Sequence, residues 1–178
     1  LKKYLRSYAL LTLISGLVIA LDQYTKYLVR TNLELWTDRW MPITWLDPYF
    51  RILHIPNKGS AFGLFQGAEN LFKFLPIIVA IIIIVYYPQI PKADWSLRLA
   101  LGLQLGGALG NWIDRLTVGY VVDFISVGNF PVFNVADSCI TIGVGVLLLG
   151  VILQERQERK HKEAVAPDMT SPITQEDE

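Results

Sequence analysis

Uncharged stretches rich in leucine, isoleucine, valine and glycine cover residues 7–21, 74–91, 99–113 and 138–154, and nearly all the charge falls between or beyond them. Such grouping predicts four membrane helices. The first and third runs, at 15 residues each, fall short of the ~20 that a span needs. Flanking Arg6, Lys26 and Arg98 are therefore expected to snorkel to the interface and lengthen their helices without burying charge. The spans then read as about 7–29, 71–90, 96–114 and 136–154, with outer segments 31–70 and 115–135. Residues 1–154 form one membrane domain on this reading. Residues 155–178, basic and then acidic, are a charged cytoplasmic tail expected to be partly disordered.

The pattern changes after residue 30. Trp36, Trp40, Trp45, Tyr49 and Phe50 follow in close succession, and aromatic residues of this kind concentrate at membrane–water interfaces. The runs 49–55 and 61–65 resemble short strands, with 56–59 as the turn between them. The predicted fold class is thus an α-helical membrane protein with four transmembrane helices and a small outer β-sheet. Asn57, Gly59, Ala61 and Gly63 around that turn fit hairpin chemistry and a binding role equally well. His54 reads as a packed strand residue. Pairing it with Ser60 as a serine protease lacks a third orienting group.

Glycines at 102, 106, 107 and 110 in the third run, and at 143, 145 and 150 in the fourth, let helices approach closely in lipid. Packing of the third helix on the fourth would bring Asn111 near Asn134 and Asp137.

Composition narrows the chemistry. With 52% hydrophobic and 18% charged residues and a mean hydropathy of +0.37, disorder is excluded as a description of the chain. The single cysteine, Cys139, rules out an internal disulfide and a cysteine metal cluster, and two histidines, His54 and His161, rule out a three-histidine zinc site. No metal or cofactor is expected, and no nucleic-acid partner. Lys2, Lys3 and Arg6 before an apolar core also resemble a cleaved secretory signal, but no small-x-small site follows and three more spans do.

With both termini cytoplasmic, the inner side carries nine lysines and arginines and the outer side four, or seven once Lys26, Lys73 and Arg115 at helix ends are added. The positive-inside rule favours that orientation. It brings Asp22, Asp114, Asp123 and Asp137 to the outer face. Acids in such apolar surroundings are costly and mark function. Asp22 and Lys26, at i and i+4, read as a structural ion pair on one helix face. Asp114 ends a helix, where the dipole disfavours an anion, and Arg115 beside it is expected to offset this or to reach a substrate. Asp137 opens a helix, where the dipole favours one. Asp123 lies between Val122 and Phe124 in a connecting loop. Two neighbouring carboxylates share a proton, so Asp137 as base and Asp123 as acid could hydrolyse an amide. Asn111, Asn134 and Arg115 would orient them. The less favoured alternative is a buried polar network that fixes helix packing.

At these residues the sequence resembles the bacterial lipoprotein signal peptidases, or signal peptidase II family. The matching blocks are DQYTK (22–26), NKGSAFG (57–63), GGALGNWIDR (106–115), GYVVDFI (119–125) and FNVADS (133–138). The resemblance implies a four-helix membrane aspartyl protease of the bacterial cytoplasmic (inner) membrane, with its site near the outer face. Its partners would be membrane lipids and prolipoproteins, cleaved just before a diacylglyceryl-modified cysteine. It implies Asp123 and Asp137 as the catalytic pair, Asn57, Asn111, Arg115 and Asn134 as substrate-binding or site-shaping residues, and Asp22, Lys26 and Asp114 as support. Only fourteen positions separate Asp123 from Asp137, a short connection for the family. The rival classes are a small proton-linked transporter, which would place acids across the membrane depth, and a lipid-modifying enzyme, which would need histidine or a basic cluster.

Overall fold

The structure, a computed structural model, describes residues 2–37, 39–41, 43–47, 49–59 and 69–165. Four helices carry most of it: α1 (Lys2–Asn32), α2 (Glu69–Tyr86, prolonged by a 3-10 turn at Tyr87–Gln89), α3 (Trp95–Thr117) and α4 (Val135–Val165). Three short strands, β1 (Arg39–Trp40), β2 (Phe50–Asn57) and β3 (Val121–Val127), form an antiparallel sheet in the order β1-β2-β3.

The helix α3 is the axis of the bundle, packed against α1, α2 and α4. Its glycines make this possible. A Cβ on Gly106 would sit 2.6 Å from Val18 Cβ of α1, and one on Gly107 2.5 Å from the Ala136 carbonyl of α4, so two neighbours press directly on its backbone. Asp94 starts α3 by accepting a bond from Leu97 N (3.2 Å). At the other end Val118 N and Gly119 N both donate to the Asp114 carbonyl (2.8 and 3.2 Å), with Gly119 at φ +84°.

Leu13 and Leu17 on α1, Ile78 and Ile81 on α2, and Leu148 and Leu149 on α4 are all exposed. An exposed apolar belt this long is a lipid-facing surface. Tyr8–Asn32 and Val135–Lys160 are long and apolar enough to cross a membrane, with mean hydropathies of 1.3 and 2.2, and the apolar stretch Phe74–Gln89 is shorter. Gly102, Gly106, Gly107, Asn111 and Asp114 of α3 are buried against the other helices, so the polar residues of this helix face protein.

Several expectations change. Residues 56 and 57 are not a turn but the last two of β2, whose partner is β3. The proposed strand at 61–65 lies outside the described residues. Asp123 sits on a strand, paired with Ile55, and not in a loop. Lys26 and Arg98 do not snorkel. Lys26 is completely buried, and buried Arg98 donates to the Ile90 carbonyl (3.1 Å) with its guanidinium 4.4 Å over the Tyr87 ring. The charged segment after Gln154 continues α4 as far as Val165.

Candidate active site

Two polar clusters meet where the ends of α1 and α3, the start of α4 and the sheet converge. The deeper one is ionic. Lys26 Nζ lies 2.8 Å from Asp22 Oδ2 and 2.9 Å from Asp114 Oδ2, with all three side chains sealed from solvent. Asp22 Oδ1 also accepts from Ala136 N (3.0 Å), and Asp114 Oδ2 from Val122 N (3.0 Å). The Asp114 carboxyl is therefore met by Lys26 and a strand amide. Arg115, the expected compensator, donates to the Asn111 carbonyl (3.2 Å) and feels the charge of Asp137 before that of Asp114.

Gln23 completes this cluster, its Nε2 within 3.1–3.2 Å of Asp22 Oδ2, the Gly110 carbonyl and Asp114 Oδ1. Sequence reasoning assigned it nothing. The available signal was spacing, since Gln23 stands three residues before Lys26 and so shares its helix face.

The second cluster is held by amides. Asn134 immediately precedes α4, and its Oδ1 accepts from Asp137 N (2.9 Å) while Asp137 Oδ2 accepts from Asn134 N (3.3 Å). This reciprocal cap orients Asp137 at the helix start. Asn111 Nδ2 donates to Asp137 Oδ1 (2.8 Å). Asn134 Nδ2 reaches across to Asp123 Oδ1 (2.7 Å) and Asn111 Oδ1 (3.1 Å). Asp123 Oδ2 accepts from Asn57 Nδ2 (2.8 Å). One asparagine thus touches both acids, and Lys26 Nζ, 2.9 Å from Asn111 Oδ1, ties the two clusters together.

The pairing of β2 with β3 makes this possible, because it sets Asn57 against Val121 and brings its amide to Asp123, 66 positions away. Asp123 faces a cavity of about 730 Å³ that Asn57, Tyr120 and Trp36 also line. Burial pushes the Asp123 carboxyl up to about 7, the nearby Asp137 charge adds to this, and the Asn57 and Asn134 donors pull the other way. A smaller groove of about 280 Å³ between α2, α3 and α4 leads to Asn111 and Arg115. His54 is packed, its Nδ1 2.9 Å from the Leu33 carbonyl, while Ser60 lies outside the described residues. Among the described residues, no group of three His, Cys, Asp or Glu side chains is placed to hold a metal ion.

The sequence profile described as "Signal peptidase (SPase) II" matches residues 14–153. The chain belongs to the signal peptidase II family. It is similar to the lipoprotein signal peptidase of Shouchella clausii, 44% identical over 83% of this chain and 96% of the relative. It is also similar to that of Moorella thermoacetica, 43% identical over 79% and 91% respectively. Among solved structures, a bacterial membrane enzyme determined by the in meso method at 2.3 Å superposes with a TM-score of 0.73 at 32% identity, covering 82% of this chain and 88% of that one. A second, at 1.9 Å, superposes with a TM-score of 0.71 at 33% identity. The family's span, residues 14–153, includes both polar clusters, α2, α3 and most of α1 and α4, so the chain is a membrane-embedded protease of this family.

Proposed function

We propose that this protein is the aspartic endopeptidase that removes signal peptides from prolipoproteins, cutting before the diacylglyceryl-modified cysteine, with Asp123 and Asp137 as the reacting pair. The relatives' role as lipoprotein signal peptidases supports the substrate. The single observation that carries the catalytic assignment is that Asp123 and Asp137 share Asn134 and lack a salt-bridge partner among the described residues, while Asp22 and Asp114 are locked to Lys26.

Asp123, with its carboxyl raised to about 7, holds a proton near neutrality and serves as the acid that polarises the scissile carbonyl. Asp137 receives hydrogen bonds from Asn111 and Asn134 N at the start of α4, which hold its carboxyl in place. As base it takes a proton from the attacking water, and proton transfer to the departing amine completes hydrolysis. Asn57, Asn111, Arg115 and Asn134 hold or contact the reacting groups. Asp22, Lys26 and Asp114 support them.

In this reading all four helices span the cytoplasmic membrane of a bacterium, both termini are cytoplasmic, and residues 155–178 form a cytoplasmic tail. At ~1.5 Å per residue, the 23 residues of α3 extend about the thickness of a hydrocarbon core. The dyad then lies near the outer face. There the diacyl chains remain in lipid and deliver the cysteine to the acids, supplying much of the positioning. Incubation of the purified protein with a diacylated prolipoprotein should release its signal peptide, and the unlipidated precursor should be cut poorly. Equal cleavage of both forms would overturn the lipid-dependent part of the proposal.

A further inference from the structure

Trp36 is the one non-glycine residue with a left-handed backbone among the described residues, at φ +68°. It lies where the chain leaves α1 and turns back to lay β1 on β2, with its N–H donating to the His54 carbonyl of β2 (3.1 Å). The turn needs that conformation. Glycine adopts it freely and asparagine nearly so, whereas a bulky side chain brings its Cβ against backbone carbonyl oxygen. Tryptophan is therefore a costly choice for the turn, and packing does not repay the cost, since the residue is 65% exposed.

Strain of this kind concentrates at ligand clamps, and the location of Trp36 agrees. It lines the cavity of about 730 Å³ together with Leu35, Ile55, Tyr120 and Asp123, while Lys58 supplies a cation. This cavity is built on the sheet and the chain before α4. The groove leading to Asn111 and Arg115 is instead built on the membrane helices. A substrate whose signal segment lies among the helices must send the polypeptide after the scissile bond the other way, past the sheet.

We infer that Trp36 is a substrate-binding residue whose indole forms a wall for the extended polypeptide segment immediately following the scissile bond. This rests on the protease reading above. An interfacial anchor is the competing role, and Trp45 provides its control, being as exposed (70%) but not lining the cavity.

The test uses the full-length protein in lipid vesicles and two synthetic diacylated lipopeptides. One ends at the modified cysteine and the other continues for several uncharged residues. Binding is measured in an Asp137→Asn background and cleavage in the otherwise unaltered protein. Trp36→Gly should raise the Kd and KM for the longer lipopeptide about tenfold, leave the shorter one and kcat nearly unchanged, and not lower Tm. Trp36→Asn, which also tolerates the left-handed turn, should behave alike. Trp45→Ala should affect neither lipopeptide. Unchanged affinity for the longer lipopeptide, equal losses on both, or the same loss in Trp45→Ala would each overturn the inference. A protein that binds the longer lipopeptide through Trp36 but cleaves neither would refute the protease reading, and with it the link to a scissile bond, while retaining the contact between Trp36 and the polypeptide. Normal cleavage with no effect of Trp36→Gly would do the reverse.

Discussion

The two acid clusters are built from the same materials and differ in one respect. Asp22 and Asp114 surround a buried ammonium group, whereas Asp123 and Asp137 are met by neutral amides. A cation at 2.8–2.9 Å ties two buried carboxylates into one ion-paired cluster sealed from solvent. Amides bind a carboxylate in position while leaving its protonation free to change. Under the proposed mechanism this difference separates acids that hold the bundle from acids that exchange protons with water, and only Asp123 of the four lines the large cavity.

The strongest way to break this comparison is to neutralise members of each pair. Asp123→Asn and Asp137→Asn should each lower the cleavage rate per inserted molecule by about a hundred- to ten-thousandfold, and the double substitution should cost little more than either alone. Additive losses would show that the two do not act as a unit. Asp22→Asn and Asp114→Asn should reduce accumulation and leave the rate of the surviving enzyme close to normal.

Removing the cation tests the other half. Lys26→Met leaves two buried carboxylates uncompensated and should destabilise the protein by roughly 3–5 kcal/mol, read as a lower Tm and poor accumulation. Adding Asp22→Asn and Asp114→Asn to Lys26→Met should recover a large part of that loss. No recovery would mean that charge balance is not the reason for the triad.

A smaller effect is expected at Gly110, where a Cβ would stand 2.6 Å from Asp22 Oδ2. Gly110→Ala must displace that carboxylate from Lys26 or spread α1 from α3, at a cost of about 1–3 kcal/mol. Thermal denaturation measures it, and a Tm equal to the wild type would show slack that the packing does not suggest.

The raised pKa of Asp123 gives a finer prediction. Folding moves this acid from an ordinary value of 3.8 to about 7, so between those values the folded state binds more protons than the unfolded one. Its contribution to stability therefore falls as pH rises from about 4 to about 7, and stays low above that. The wild type should lose Tm across this window and Asp123→Asn should lose less. Parallel curves would remove Asp123 as the titrating group. Finally, deletion from Ala164 onward should leave cleavage unchanged, and a large loss in a normally inserted truncation would assign the tail a role.

What the sequence determined by itself is what depends on near neighbours. Apolar runs place the helices, because a segment that must satisfy its backbone in lipid has few alternatives. The i,i+4 spacing pairs Asp22 with Lys26, and the glycine stripe marks α3 as a close-packing helix. Motif resemblance reached the family, and the residues it singled out, Asn57, Asn111, Asp123, Asn134 and Asp137, are in mutual hydrogen-bond contact.

Tertiary structure decided the rest. Nothing local tells residues 50–57 to pair with 121–127 rather than with a nearer segment, and so Asn57 was assigned to a turn and Asp123 to a loop. Lys26 was expected at the interface because the sequence does not reveal that Asp114, 88 positions away, waits inside the bundle. For the same reason Gln23 was assigned nothing and Trp36 only a place at the interface. A polar side chain becomes part of a site, and a turn becomes the wall of a cavity, only when distant segments close around them.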